Sequence, residues 1–224
     1  MIHVADQLFR LRINYQKIGR LRHLSHLEIV RAMERLVRRA QLPYAITQGF
    51  SAHMKHAFGP ALPVGTGGLD EYLDVWLTDY LPVEDVISRL TSVTVDDLPI
   101  IDALYIEPGS PSLQVSHLLS AYELLLDGGS WQAADISQAL RDFITKGTLK
   151  LVRKGKTKVF ELVEYLVGDV QIEDVDDVVR VTLSIKASEK GSIRPEALFD
   201  AALVELEGIV ILSITRSSLG ELSI

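Results

Sequence analysis

Leu8-Phe-Arg-Leu-Arg-Ile-Asn-Tyr-Gln16 is the stretch on which the fold turns. Phe9, Leu11, Ile13 and Tyr15 alternate with Arg10, Arg12, Asn14 and Gln16, the period-2 pattern of a strand with one buried face. Ser25-His-Leu-Glu28 then has capping-box spacing, in which a hydroxyl and a carboxylate three residues on satisfy the first helix amides. Leu27, Val30, Met33, Val37 and Ala40 follow as an apolar stripe, and Pro43 stops the helix. A strand near Tyr44–Gln48, a Gly/Pro-punctuated loop over 49–70 and an alternating strand at Tyr72–Thr78 come next. Pro82 opens a helix to about Leu90, and Ile100–Ile106 closes the unit. The order is β-α-β-β-α-β.

Pro108-Gly109-Ser110-Pro111-Ser112 reads as a linker, after which the same order recurs. A strand at Leu118–Leu126 leads to a helix from Ser130. A hairpin turning at Lys154-Gly155 joins Leu149–Arg153 to Lys156–Leu166. Val179–Lys186 alternates, Pro195 opens a second helix, and Ile209–Thr215 is the last strand. The pattern predicts an α+β protein of two tandem ferredoxin-like (βαββαβ) units, 1–109 and 110–224, each with an antiparallel sheet, helices on one face and the other face free.

The 224 residues carry a formal net charge of −7. Absence of cysteine removes disulfides, thiolate nucleophiles and any self-held iron–sulfur cluster. The N-terminus lacks a basic-then-apolar leader and no apolar run reaches the roughly 20 residues that span a bilayer, so a cytoplasmic protein is expected, without membrane or cofactor. The charge is uneven. Residues 1–60 hold ten Lys and Arg against three acids, a balance of +7. Residues 141–160 hold seven against Asp142 alone, a balance of +6, so the remainder carries −20. Such islands bear on partners where a net charge does not.

Arg31, Arg35 and Arg38 recur at i, i+4 and i+7 and share one helix stripe, with Arg20 and Arg22 before it and Arg39 beside it. Guanidiniums in that array suit bidentate phosphate contacts, although Glu34 can also pair with Arg38 along the helix. Arg153, Lys154, Lys156 and Lys158 form a basic hairpin, a shape suited to a nucleic-acid backbone and equally to protecting a strand edge. His53 and Lys55 complete the expected RNA-binding set. His23/His26 and His53/His56 have H-x-x-H spacing but no nearby carboxylates and many cations, so no metal is expected. His26 or His53 as general base, with Lys55 or Arg22 against a charged phosphorane, gives a metal-independent endoribonuclease as the alternative. Gly59-Pro-Ala-Leu-Pro-Val-Gly65-Thr-Gly67-Gly68 lacks the G-K-[ST] ending of a phosphate loop and leads into a strand. Tyr72 and Trp76 share the polar face of their strand and either stack bases or pack against the other half of the chain.

Gly19-Arg-Leu-Arg-His-Leu-Ser-His26-Leu-Glu28, Glu34-Arg35 with Arg38-Arg39-Ala40, Gln48-Gly49-Phe50 with His53 and Lys55, Ala61-Leu-Pro-Val-Gly65 and Glu71-Tyr72-Leu-Asp74 together resemble the radical SAM-linked protein family. That is a bacterial group found alone or fused to radical SAM proteins. The resemblance covers residues 8–80 well and the second half loosely. It implies a radical SAM protein as partner and a role near RNA modification, on tRNA or rRNA. Ser51-Ala52-His53-Met54-Lys55 departs from the family's Asn-Pro-His-Pro-Lys, and His23 and His56 stand where it is usually apolar. Glu161-Leu-Val163-Glu164 replaces an acidic-then-Arg-Pro stretch, which leaves that arginine's role unfilled. The tandem architecture also looks like that of CRISPR repeat-processing endoribonucleases, an analogy of fold alone. The expectation is a non-catalytic RNA-binding or substrate-presenting accessory factor, with a protein–protein adaptor as a third class.

Overall fold

A computed structural model describes residues 8–153, 155–188 and 191–220, with the backbone alone of Arg153. The protein is mixed α+β, with antiparallel sheet and helices, and divides into two compact units, Met1–His117 and Leu118–Ile224.

In the first unit β1 (Phe9–Lys17) pairs antiparallel with β3 (Thr66–Leu77) and with β4 (Ile100–Tyr105), while β2 (His56–Phe58) pairs with β3. The sheet order is β4-β1-β3-β2. Helices α1 (His26–Arg39) and α2 (Val83–Thr91) cover the face that bears Leu11, Ile13, Leu73, Val75 and Leu77. Helix α1 buries Ile29, Met33, Leu36 and Val37, and α2 buries Val86 and Leu90. Leu27, expected on the buried stripe, is 67% exposed. Ser25 opens α1 as the capping pattern predicts: its N–H and hydroxyl both donate to Glu28 Oε2, at 2.8 and 2.7 Å.

The strand expected at Tyr44–Gln48 is reduced to single bridges, Tyr44 to Leu77 and Ile46 to Met54. The edge of β3 is instead taken by β2, inside the stretch that reads as loop. Ala45 N–H donates to Trp76 and Trp76 N–H donates to Lys55, so two short segments share one strand edge. The helix-free face is not free. Residues 107–117 cross it, with Leu113 fully buried in the short helix α3 (Leu113–Ser116). Beneath them Arg10 donates to the carbonyls of Ser110 and Pro111, both at 2.8 Å. The Tyr72 ring lies 5.1 Å from His117. The division between units therefore falls after His117, not at Gly109, because the Pro/Gly stretch is tied to the first sheet.

In the second unit β5 (Leu119–Asp127) pairs with β9 (Val178–Lys186) and β10 (Val210–Gly220), and β8 (Leu166–Val175) pairs with β9, all antiparallel. The order is β10-β5-β9-β8. Helices α4 (Ala133–Thr145) and α6 (Pro195–Ala202) share its core through Ile136, Leu140, Leu198 and Phe199. Helix α4 begins three residues after Ser130 because the capping box is at Gln132, whose N–H donates to Asp135 Oδ2 at 3.0 Å, while Trp131 before it donates its indole N–H to the Glu207 carbonyl. The hairpin β6 (Thr148–Arg153) and β7 (Lys156–Glu161) pairs only with itself among the described residues. The strand expected over Lys156–Leu166 breaks at α5 (Leu162–Tyr165), and β8 takes the place in the main sheet that the hairpin was expected to fill.

Candidate nucleic-acid interface

The outer face of α1 carries Arg31, Arg35, Arg38 and Arg39, all exposed, and exposed Arg20 stands in the 3-10 turn Gly19–His23 that leads into it. The chain can make that turn because Gly19 sits at φ +51 with the Asp97 carboxylate where a Cβ would be, and Asp97 Oδ2 accepts the Arg20 N–H at 2.9 Å. Arg38 is partly committed, 3.5 Å from Glu34 and with its guanidinium carbon 6.0 Å from the Tyr44 ring centroid. Arg22 is committed to structure. Its Nε donates to the Gly65 carbonyl at 3.0 Å, and Gly65 N–H donates back to the Arg22 carbonyl. Arg20, Arg31, Arg35 and Arg39 form no ion pair among the described residues. Arg31 nonetheless acts on Glu28, whose carboxyl is held below its ordinary range mainly by the Ser25 hydroxyl and amide and less by that guanidinium.

His26, His53 and His56 gather on the helix-covered side of the sheet. Glu34 reaches from α1 to His56 Nε2 at 3.3 Å, the His26 and His56 rings each meet Phe58 edge-on at 5.4 Å, and His53 lies 6.4 Å from His56. His53 is held in its loop by Thr47 Oγ1 at 3.1 Å and the Ser51 carbonyl at 3.0 Å from Nδ1. Lys55 points the other way, over Trp76 at 5.2 Å, on the face where Arg10 lies 5.6 Å from the same ring. His26 and Lys55 thus stand on opposite faces of one sheet, and a histidine base with a Lys55 partner is not assembled there. Among the described residues no three His, Asp or Glu side chains are placed to hold a metal.

Sequence reading missed two charged groups beside His26. Lys17 and Glu71 are 2% and 4% exposed and line a small cavity with Tyr15, His26 and Phe58. Lys17 continues the alternation of Leu11, Ile13 and Tyr15 onto the helix-covered side, opposite a register shift that places the extra residue in β3, so the alternation points to the face but its apolar reading stops at Tyr15. Burial, then Lys17, then His56 lower the pKa of His26. The cavity holds about 10 Å³, room for about one water, so it is no substrate pocket. On the opposite face burial and Asp70 push the Tyr72 phenol up to about 12. Beside it, Asp74 is fully buried between Arg10 and Arg12, with contacts of 2.6 to 3.1 Å.

In the second unit Gly155 turns the hairpin at φ +75. Lys156 and Lys158 are exposed, and Lys158 Nζ lies 4.8 Å from the Phe160 ring centroid. Lys154 and the Arg153 side chain lie outside the described residues.

Among curated proteins none matches this chain. A solved structure described as a crystal structure of a Cbf5-Nop10-Gar1 complex is 12% identical over 95% of this chain, with a TM-score of 0.53. This chain spans about half, 50%, of that one, and at such identity the likeness bears on fold alone. A crystal structure of an unknown protein from Galdieria sulphuraria is 13% identical over 97% of this chain and 100% of that one, with a TM-score of 0.28. Residues 10–195, which include the α1 arginines, the histidine loop and the hairpin, match one family model, and the chain belongs to that family, described as an uncharacterized protein conserved in bacteria (DUF2344).

Proposed function

We propose that the protein is a non-catalytic RNA-binding or substrate-presenting factor of the cytoplasm, gripping phosphates with the outer face of α1. The observation that carries this reading is the set of exposed guanidiniums on Arg20, Arg31, Arg35 and Arg39, none in an ion pair among the described residues. A solvated structural face would pair such charges with acids along the helix, as Arg38 pairs with Glu34. Four guanidiniums outside any ion pair, three of them on one helix, favour a polyanion. Arg22, tied to Gly65, shapes the turn rather than the contact. The hairpin lysines Lys156 and Lys158 add a second basic arm in the other unit. Both units read as ferredoxin-like, since each places its strands in the order fourth-first-third-second, with the hairpin inserted in the second. Binding is favoured over cleavage because Lys55 stands away from His26. A radical SAM partner rests on the family resemblance and is tested by co-purification after nuclease treatment. The RNA reading is tested by fluorescence anisotropy with structured RNA. Arg31→Glu combined with Arg35→Glu should weaken binding at least tenfold, while the single Arg22→Lys variant should act chiefly on stability. Unchanged affinity in the double variant overturns the assignment.

A further inference from the structure

Beside the arginine face lies an apolar groove, formed by the 3-10 turn, the flank of α1 and the loop that follows α2. Leu21, Leu24, Ala32, Val93, Val95 and Leu98 supply its lining, and Arg35 and Arg39 stand at its rim. It encloses about 230 Å³, less than the roughly 300–1,000 Å³ of sites that take drug-sized ligands. The two arginines lie one turn apart, about 6 Å along the helix, and neither forms an ion pair among the described residues. The groove offers little polar chemistry of its own: Thr94 spends its hydroxyl on the Leu98 carbonyl at 2.6 Å, and Leu98 N–H donates to Val95. The nearby Asp97 is turned to the Arg20 amide.

Resting on the RNA-binding reading, we infer that this groove receives one unstacked base of a single-stranded RNA while Arg35 and Arg39 hold the phosphates on either side of it. A flat, weakly polar group flanked by two anions is complementary to an aliphatic slot flanked by two cations. Duplex RNA keeps its bases stacked and can offer only phosphates and ribose to the same face. With its hydroxyl and amide already used, the slot reads shape and apolar area rather than hydrogen-bonding edges. It therefore discriminates single strand from duplex without choosing strongly among bases.

The experiment compares three probes of equal length on the full chain: oligouridylate, an abasic oligoribonucleotide and an RNA duplex, with oligoadenylate as a check on base choice. Oligouridylate should bind at least about tenfold tighter than the abasic strand, the factor that burying roughly 55 Å² of apolar surface gives, and within a few-fold of oligoadenylate. Ala32→Leu fills the groove and Val95→Asn, at an exposed position, makes its wall polar, both without changing charge. Each should bring oligouridylate down to the abasic level and leave the abasic strand unaffected. Arg31→Glu, outside the groove, should weaken all the probes alike. Equal binding of oligouridylate and abasic strand, or indifference to both groove variants, overturns the base slot while phosphate binding stands. Absence of binding to every probe overturns both readings.

Discussion

Asp74 places a carboxylate at zero exposure against two guanidiniums of one neighbouring strand, β1, and its neighbours set what that arrangement contributes. Arg12 faces it in register from β1 and donates through Nε at 2.8 Å, while Arg10 donates to it and onward to Ser110 and Pro111. One carboxylate therefore holds two guanidiniums, and one of those holds the segment that covers the sheet. Replacing both charges with apolar groups can be nearly neutral, but removing one partner strands the other in a dry site. Asp74→Ala should lower unfolding stability by about 3–5 kcal/mol, read as a shift of the urea midpoint, and a change within surface-substitution range would show that water reaches the pair. His26 supplies a pH dependence with a definite sign. Its pKa is lowered in the native state, first by burial and then by Lys17 and His56, so the unfolded chain binds the proton more readily. Stability should fall as pH drops below about 6.5, the unfolded value, until the folded pKa is passed. His26→Phe should flatten that limb of the profile; an identical acid limb in the variant would assign it to other groups.

The hairpin of β6 and β7 shows how an element can be anchored at one end only. Leu149 and Phe160, opposite one another in its register, are buried in the second core, and the Phe160 ring meets Tyr165 at 5.2 Å. Val152 and Val159 farther along are 74% and 49% exposed. Phe160→Ala should therefore cost about 3–5 kcal/mol, whereas replacing 152–157 with Asn-Gly, which suits a two-residue turn after Leu151 and keeps Leu151 against the core, should leave the unfolding midpoint close to that of the parent. A large loss in the shortened chain would place core contacts in the tip as well. The sequence made α1, α2 and the long strands legible because each buries one face at a fixed period, and this hairpin legible through its Lys154-Gly155 turn signal. It hid β8, an edge strand in which Gly168, Asp169, Glu173 and Asp174 dilute the alternation. It hid β2, three residues between a histidine loop and Gly59-Pro60. The covering segment 107–117 was invisible for another reason: Arg10 grips it by backbone carbonyls, which every residue possesses. The same limit applies to the site. Arg31 and Arg35 followed from helical spacing, but nothing in the spacing separates Arg22, spent on Gly65, from Arg39, which forms no ion pair among the described residues.

At the scale of the molecule, a chain of net charge −7 is read as gripping a polyanion, and screening decides whether those statements conflict. At about 0.15 M salt the Debye length is about 8 Å, so a phosphate on α1 responds to the guanidiniums it touches far more than to acids elsewhere. No helix among the described residues is long and apolar enough to cross a membrane. The consequence is quantitative. Each phosphate neutralised on a single strand releases counterions and contributes about −0.7 to the slope of log affinity against log salt. Arg20, Arg31, Arg35 and Arg39 acting together give a slope near −3. Arg35→Gln with Arg39→Gln should reduce its magnitude by about 1.4, because two contacts are lost without an added repulsion. The acidic remainder enters differently, as a long-range repulsion that slows encounter at low salt. Association rates should therefore rise as salt is raised from a few millimolar, even while affinity falls, a divergence that stopped-flow and equilibrium titrations can read on the same RNA. A salt slope near zero would mean that the arginines face solvent and nothing else, whatever their spacing.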